Sequence, residues 1–364
     1  MGYLELLPAA AYRKALAFDP VTHEPVVLGS QHKGGTYYFT RDDGTWSSQS
    51  VQNANGENYV ALEFNPAFSV FEAVIQKRGN PLYARLQQNG SWDISQVLNE
   101  SVEFTNQALS FDAVGKAGIV YSDDSLIHLA RYNGSSFDIE TLPSHIPGGR
   151  GPTLQFNSDG YPVIAYHDFG GDIFLATQDV SGWSYETVAS RPDVWTVTSF
   201  HFDPNGEPVV MYREGLVTRW DRFIIMARRD GADGWTAMTI DPTGVPHQGA
   251  VLDMAYTADG NLYLTMNNLG NEARVGRFCE DRTILGIDNT MTCAPTMDID
   301  GKNVWLWENA EDEGSGGWSI AIDPYTGTVA ILTSGESTEY GNTARYVRCN
   351  PNAVPASVIC GPQP

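Results

Sequence analysis

Apolar and polar residues alternate along this chain in short stretches, and the stretches recur. "ALAFDPVTHEPVVL" from Ala15, "ALEFNPAFSVFEAVI" from Ala61, "ALSFDAVGKAGIVY" from Ala108, "TLQFNSDGYPVIAY" from Thr153 and "SFHFDPNGEPVVMY" from Ser199 share one grammar. Each reads as an alternating strand, a tight turn built on Asp, Asn, Pro or Gly, and a second apolar strand. "MAYTADGNLYLTM" from Met254 and "IAIDPYTGTVAIL" from Ile320 repeat it more loosely. The residue before the turn gives the landmarks Phe18, Phe64, Phe111, Phe156, Phe202, Tyr256 and Ile322, separated by 46, 47, 45, 46, 54 and 66 residues. Five units are near-equal and the last two carry insertions. Helix-period segments are essentially absent.

Within each unit a variable polar loop leads to a third strand. A Gly-rich turn and a fourth strand follow, as in "NGSWDISQVL", "NGSSFDIETL", "SGWSYETV" and "DGWTAMTI". Four short antiparallel strands per repeat predict an all-β chain folded as a β-propeller of four-stranded blades. The expectation is one domain over 1–364, with blades starting near 15, 61, 108, 153, 199, 251 and 319. The seventh unit has only three strands of its own, so the apolar stretch Tyr3 to Leu7 is expected to supply its outer strand and close the ring. "TMDIDGKNVWLWEN" competes with the Ile322 unit as the seventh inner strand, but "DPYTGTVAIL" repeats "DPVTHEPVVL" more closely.

The repeats resemble the degenerate Asp-box propellers, a superfamily that includes sialidases and many secreted bacterial proteins. "TRDDGTW", Thr40 to Trp46, approaches the full motif and falls at the turn between third and fourth strands. The resemblance implies that Asp42, Gly44 and Trp46 serve the fold, with Trp92, Trp183 and Trp235 as the same packing position in other blades. It does not by itself imply sialidase activity, because no motif places the arginine trio and the Tyr/Glu pair that activity needs.

Net charge is −22, with five lysines and seventeen arginines. Such a surface repels phosphate backbones and anionic membranes, so neither nucleic acid nor membrane insertion is expected. No apolar run approaches the length of a bilayer span. Cys279, Cys293, Cys349 and Cys360 lack the spacing of a zinc site. Of their three connectivities the sequential one, stapling an insertion at 279–293 and anchoring a tail at 349–364, is expected in an oxidising compartment. Secretion or cell-surface display follows as an expectation, although Met1-Gly2-Tyr3 begins no signal peptide.

Candidate chemistry lies where the repeats disagree. The second strands end in a shared Tyr121, Tyr166 and Tyr212, a packing column. The next column reads Ser30, Gln76, Ser122, His167, Arg213, Asn267 and Ser334, and the one after it includes Asp123, Asp168 and Glu214. Such divergence points to one asymmetric site on the face that surrounds the central channel. His167, Arg213 and Tyr212 form the expected catalytic set if the protein is an enzyme: imidazole or phenol as base, guanidinium as carboxylate clamp. Asp168, Glu214, Arg219, Trp220, Arg222, His145, Arg150 and Trp195 are the expected ligand-binding residues. No cofactor is expected. A structural calcium is the one metal that "YSDDS", "HDFGGD" and "DIDG" would suit, although none is an EF-hand loop.

Three functions fit this reading. The first is a secreted module that recognises a glycan or polysaccharide, or a protein ligand, through one site. The second is a polysaccharide lyase or glycoside hydrolase using the same face. The third is a structural or protein-interaction domain of a surface protein.

Overall fold

A computed structural model describes residues 3–7, 13–30, 35–52, 60–77, 80–98, 102, 105, 108–123, 126–190, 194–214, 223–229, 234–239, 253–258, 260, 262–267, 273–279, 296–299, 302–309, 319–338 and 341–349. These residues form strands in seven antiparallel sheets. The first sheet contains β2 (Arg13–Phe18), β3 (Pro25–Ser30), β4 (Thr36–Asp42) and β5 (Thr45–Gln52), and follows β1 (Tyr3–Leu6) in the chain. The second contains β6 (Val60–Asn65), β7 (Val70–Lys77), β8 (Asn80–Leu86) and β9 (Trp92–Gln96). The third contains β10 (Leu109–Phe111), β11 (Ala117–Asp123), β12 (Leu126–Tyr132) and β13 (Phe137–Thr141). β14 (Arg150–Phe156), β15 (Pro162–His167), β16 (Ile173–Asp179) and β17 (Gly182–Ala189) make the fourth. β18 (Val194–Phe202), β19 (Pro208–Glu214), β20 (Phe223–Arg229) and β21 (Trp235–Thr239) make the fifth.

The sixth sheet departs from the four-stranded expectation. It contains β22 (Asp253–Tyr256), β23 (Leu262–Asn267), β24 (Ala273–Cys279), β25 (Thr296–Ile299) and β26 (Lys302–Asn309), in the order β22-β23-β24-β26-β25. "TMDIDGKNVWLWEN" thus extends this sheet, and its two strands pair directly with each other. The seventh sheet has the order β1-β29-β28-β27, from β27 (Ser319–Ile322), β28 (Val329–Thr338) and β29 (Gly341–Cys349). Tyr3 stands opposite Arg348 and Leu6 opposite Arg345. Cys279 and Cys349 end β24 and β29, while Cys293 and Cys360 lie outside the described residues.

The repeat explains the core. Two residues before each landmark stand Leu16, Leu62, Leu109, Leu154, Phe200, Met254 and Ile320, all buried. Each contributes roughly 1.5–3 kcal/mol by leaving water. Three before it stand small or polar residues, Ala15, Ala61, Ala108, Thr153, Ser199, Asp253 and Ser319, also buried. Small side chains let the innermost strands of neighbouring sheets approach, and the polar ones bond across the gap. The Leu16 amide donates to Ser319 Oγ at 3.3 Å, and the Ile320 amide to Asp253 Oδ2 at 3.4 Å.

The outer aromatic column also packs between sheets, which places it with the fold. Trp92 stands edge-on to Tyr38 at 5.2 Å, and Phe137 edge-on to Tyr83 at 5.3 Å. Trp183 Nε1 donates to Glu140 Oε1 at 2.7 Å, and Trp235 Nε1 to Glu186 Oε2 at 3.2 Å. In "TRDDGTW" the turn residues Asp43 and Gly44 take φ of 44° and 81°, the left-handed pair of a two-residue hairpin.

Three of the described turns between first and second strands share one device. Asp112 Oδ1 accepts the amides of Val114 and Lys116, Asn157 Oδ1 those of Asp159 and Tyr161, and Asp203 Oδ1 those of Asn205 and Glu207. A glycine three residues after the cap, Gly115, Gly160 or Gly206, takes the left-handed conformation that closes the turn.

Candidate functional site

His167 ends β15 and stands opposite Arg150 of β14 and Ile173 of β16. Strand alternation puts it on the same face as Val163, Ala165 and Ile173, which pack with Val210 and Tyr212 of the fifth sheet. His167 therefore lies on the face of the fourth sheet that packs against the fifth. Tyr212 is 1 % exposed within that packed face, and Glu214, two residues on in the same strand, shares its side. Gly149, just before β14, seats the two strands. A Cβ there would lie 2.2 Å from the His167 carbonyl oxygen and 2.6 Å from Tyr166 Cδ2.

The imidazole is half-buried, and its Nδ1 is buried with no hydrogen-bond partner among the described residues. Burial lowers its pKa to about 4; Arg150 adds to the lowering and Asp168 opposes it. The ring is therefore neutral near pH 7. Arg150 is exposed, and its guanidinium carbon lies 4.9 Å from the centre of the Phe169 ring. Phe169 is itself 60 % exposed. A neutral base, a cation and an open aromatic face thus adjoin at one rim.

The loop that presents Phe169 is rigidly specified. Asp168 Oδ1 accepts the amides of Gly170 at 2.8 Å and Asp172 at 2.9 Å, and Gly171 takes φ of 90°. That is the capped turn of Asp112 and Asp203 used again. Asp168, expected to contact ligand or orient His167, has one oxygen committed to holding this loop.

Other expected residues are dispersed. Arg213 follows Tyr212 in an extended strand and so faces away from the His167 cleft. His145 is exposed, with Nε2 3.2 Å from the Trp183 carbonyl, a tie to the fourth sheet. Trp195 lies in β18 beside a register shift between Val194 and Thr196. Arg219, Trp220 and Arg222 lie outside the described residues. Tyr166 is fully buried and stacked on Phe174 at 5.7 Å, with a phenol pKa raised by burial and by Tyr185 and Asp168. Phe169 was missing from the sequence expectations; its signal was an apolar residue in the capped-turn pattern "DFGGD". Among the described residues no group of three or more His, Cys, Asp or Glu is placed to hold a metal.

The arrangement suits an anionic sugar: a guanidinium for its carboxylate or sulfate, a ring face for its pyranose, and a neutral nitrogen beside both. No family model matches the chain, and no curated protein matches it. Solved structures do. An ulvan lyase, described as a new family of polysaccharide lyase and bound to -[GlcA(1-4)Rha3S]-, superposes with a TM-score of 0.61 at 10% identity over 93% of this chain and 94% of its own. A protein from Lactobacillus plantarum gives 0.57 at 13% identity over 84% and 87%. At these identities the likeness is one of fold, and the fold is of β-propeller type.

Proposed function

We propose that the chain is a secreted, seven-bladed propeller, closed by β1 in the last blade, that recognises an anionic glycan in the cleft between its fourth and fifth sheets. The observation that carries the reading is the exposed Phe169 lying under Arg150 and beside a neutral His167. An aromatic face left open to water at that cost fits a sugar ring, and the adjacent guanidinium fits its acid group. Binding of glycan by proteins of this fold, the ulvan lyase among them, supports the carbohydrate class. The pairing of β1 with β29 supports closure.

A glycan array weighted towards uronate and sulfated polysaccharides tests the reading. Binding of acidic glycans lost in Arg150→Met and Phe169→Ala variants of native fold is the expected result. Binding to neutral glycans alone, or binding indifferent to both substitutions, refutes it.

The neutral imidazole favours a second reading, a lyase at the same cleft. His167 would take the proton α to a uronate carboxylate held by Arg150, the glycosidic C–O bond would break, and the leaving oxygen would gain a proton from water. New unsaturated uronate, read by its ultraviolet absorbance and absent in His167→Gln, is the expected result of that reading. Tight binding without any unsaturated product leaves a binder.

A further inference from the structure

We infer that capture of an anionic sugar at Arg150 is coupled to proton uptake by His167, so that the cleft binds acidic glycans more tightly as the medium acidifies. This rests on the proposed function and adds its regulation.

Arg150 and His167 are cross-strand neighbours, fixed side by side by the β14–β15 ladder and by the close seat at Gly149. His167 Nδ1 is buried without a hydrogen-bond partner among the described residues, so the ring gives up no internal bond there on taking a proton. The charged groups that act on the ring are Asp168, at the start of the loop to β16, and Arg150 on β14. Burial keeps the imidazole neutral; Asp168, one oxygen of which accepts the Gly170 and Asp172 amides, opposes that effect and Arg150 adds to it.

An anion changes that balance. A carboxylate or sulfate on Arg150 offsets the repulsion that the guanidinium exerts on an imidazolium, and at close range it attracts one directly. An opposite charge within about 4–6 Å favours the charged form by roughly 1–3 pKa units. By linkage, a ring that takes up a proton on binding makes binding tighter wherever the free protein is still deprotonated. With a free value of about 4 and a rise of about 2 units on binding, affinity increases about tenfold from pH 7 to pH 5. About 0.8 proton enters per ligand at pH 5 by the same reckoning.

Two probes separate the anion's source: a galacturonate tetrasaccharide, which carries carboxylates alone, and a carrageenan tetrasaccharide, which carries sulfates alone. Titration calorimetry of the full chain at pH 5 and pH 7, in buffers of different ionisation enthalpy, reads affinity and proton uptake together. The expected result, for at least one probe, is tighter binding at pH 5 with proton uptake, and loss of both the uptake and the pH dependence in His167→Gln. Equal affinity at both pH values with no uptake overturns the inference and leaves the glycan reading standing. Failure of both probes to bind at either pH overturns the inference and the glycan reading together. A ligand-free measurement stands apart from both: in an NMR titration of labelled histidines, His167 stays neutral as pH falls to 5.5, and Arg150→Met moves its midpoint upward. A wild-type midpoint near 6.5 overturns the inference whatever the sugars do.

Discussion

Gly149→Ala isolates the contact that seats the candidate site. Its backbone φ lies outside the left-handed region, so the cost of a side chain there is steric alone. The new Cβ would lie 2.2 Å from the His167 carbonyl oxygen and 2.9 Å from its carbonyl carbon, both backbone atoms that no rotamer change removes. Overpacking of a tight core costs typically 1–3 kcal/mol, and a backbone obstacle places this case at the upper end, about 3 kcal/mol. For 364 residues the unfolding entropy near the midpoint is about 0.8 kcal/mol per kelvin, so Tm falls by about 4 °C. Gly90→Ala is the control: φ is 81° there and nothing lies within 4 Å, so only the left-handed strain of about 1 kcal/mol is expected. Differential scanning calorimetry reads both. Relief of the clash must push β15 away from β14 by a large fraction of an ångström, which parts Arg150 from His167. Affinity for acidic glycan should then fall at least tenfold in Gly149→Ala and stay unchanged in Gly90→Ala. A Gly149→Ala protein as stable as Gly90→Ala, with affinity within twofold of wild type, would refute the idea that this seat positions the pair.

Two further outcomes are expected. Phe169→Ala should weaken acidic-glycan binding about 10-fold, on the order of 1.4 kcal/mol for a stacking face, with circular dichroism and Tm unchanged; a change confined to Tm would make the ring structural. Tyr166→Phe removes a buried hydroxyl that has no hydrogen-bond partner among the described residues, so urea denaturation should show a gain of about 1 kcal/mol; a loss would reveal a bonded partner for that oxygen.

Much of the fold was legible because the repeat states its own rules. Strand pairs, capped turns and the Trp column could be read by laying one unit over another, and the same positions pack or cap in the structure. The fifth strand of the sixth sheet was not legible in this way. "TMDIDGKNVWLWEN" carries the same strand-turn-strand grammar as an inner hairpin, and nothing local says that it pairs onto β24. That choice is made by long-range pairing, which periodicity does not encode.

The candidate site was legible only in part, for two physical reasons. The pleat puts Tyr212 and its neighbour Arg213 on opposite faces of β19, with Tyr212 in the core shared by the fourth and fifth sheets. Treating Asp168 as functional because its column varies overlooked a second grammar running through it. "DFGGD" is the same cap-and-glycine turn as "DAVGK" and "DPNGE", with the carboxylate bonded to the amides two and four residues on. Comparison of turns, not only of columns, would have moved Asp168 to the fold. The same comparison singles out Phe169. The corresponding positions are Ala113 and Pro204, small or rigid residues suited to a turn, whereas here an aromatic ring stands 60 % exposed with a guanidinium over it. "YHDFGG" therefore divides as two fold residues, Tyr166 and Asp168, alternating with two that the fold does not require, His167 and Phe169. Both of the latter adjoin Arg150, and that convergence from two strands and a loop is what a sequence read one column at a time conceals.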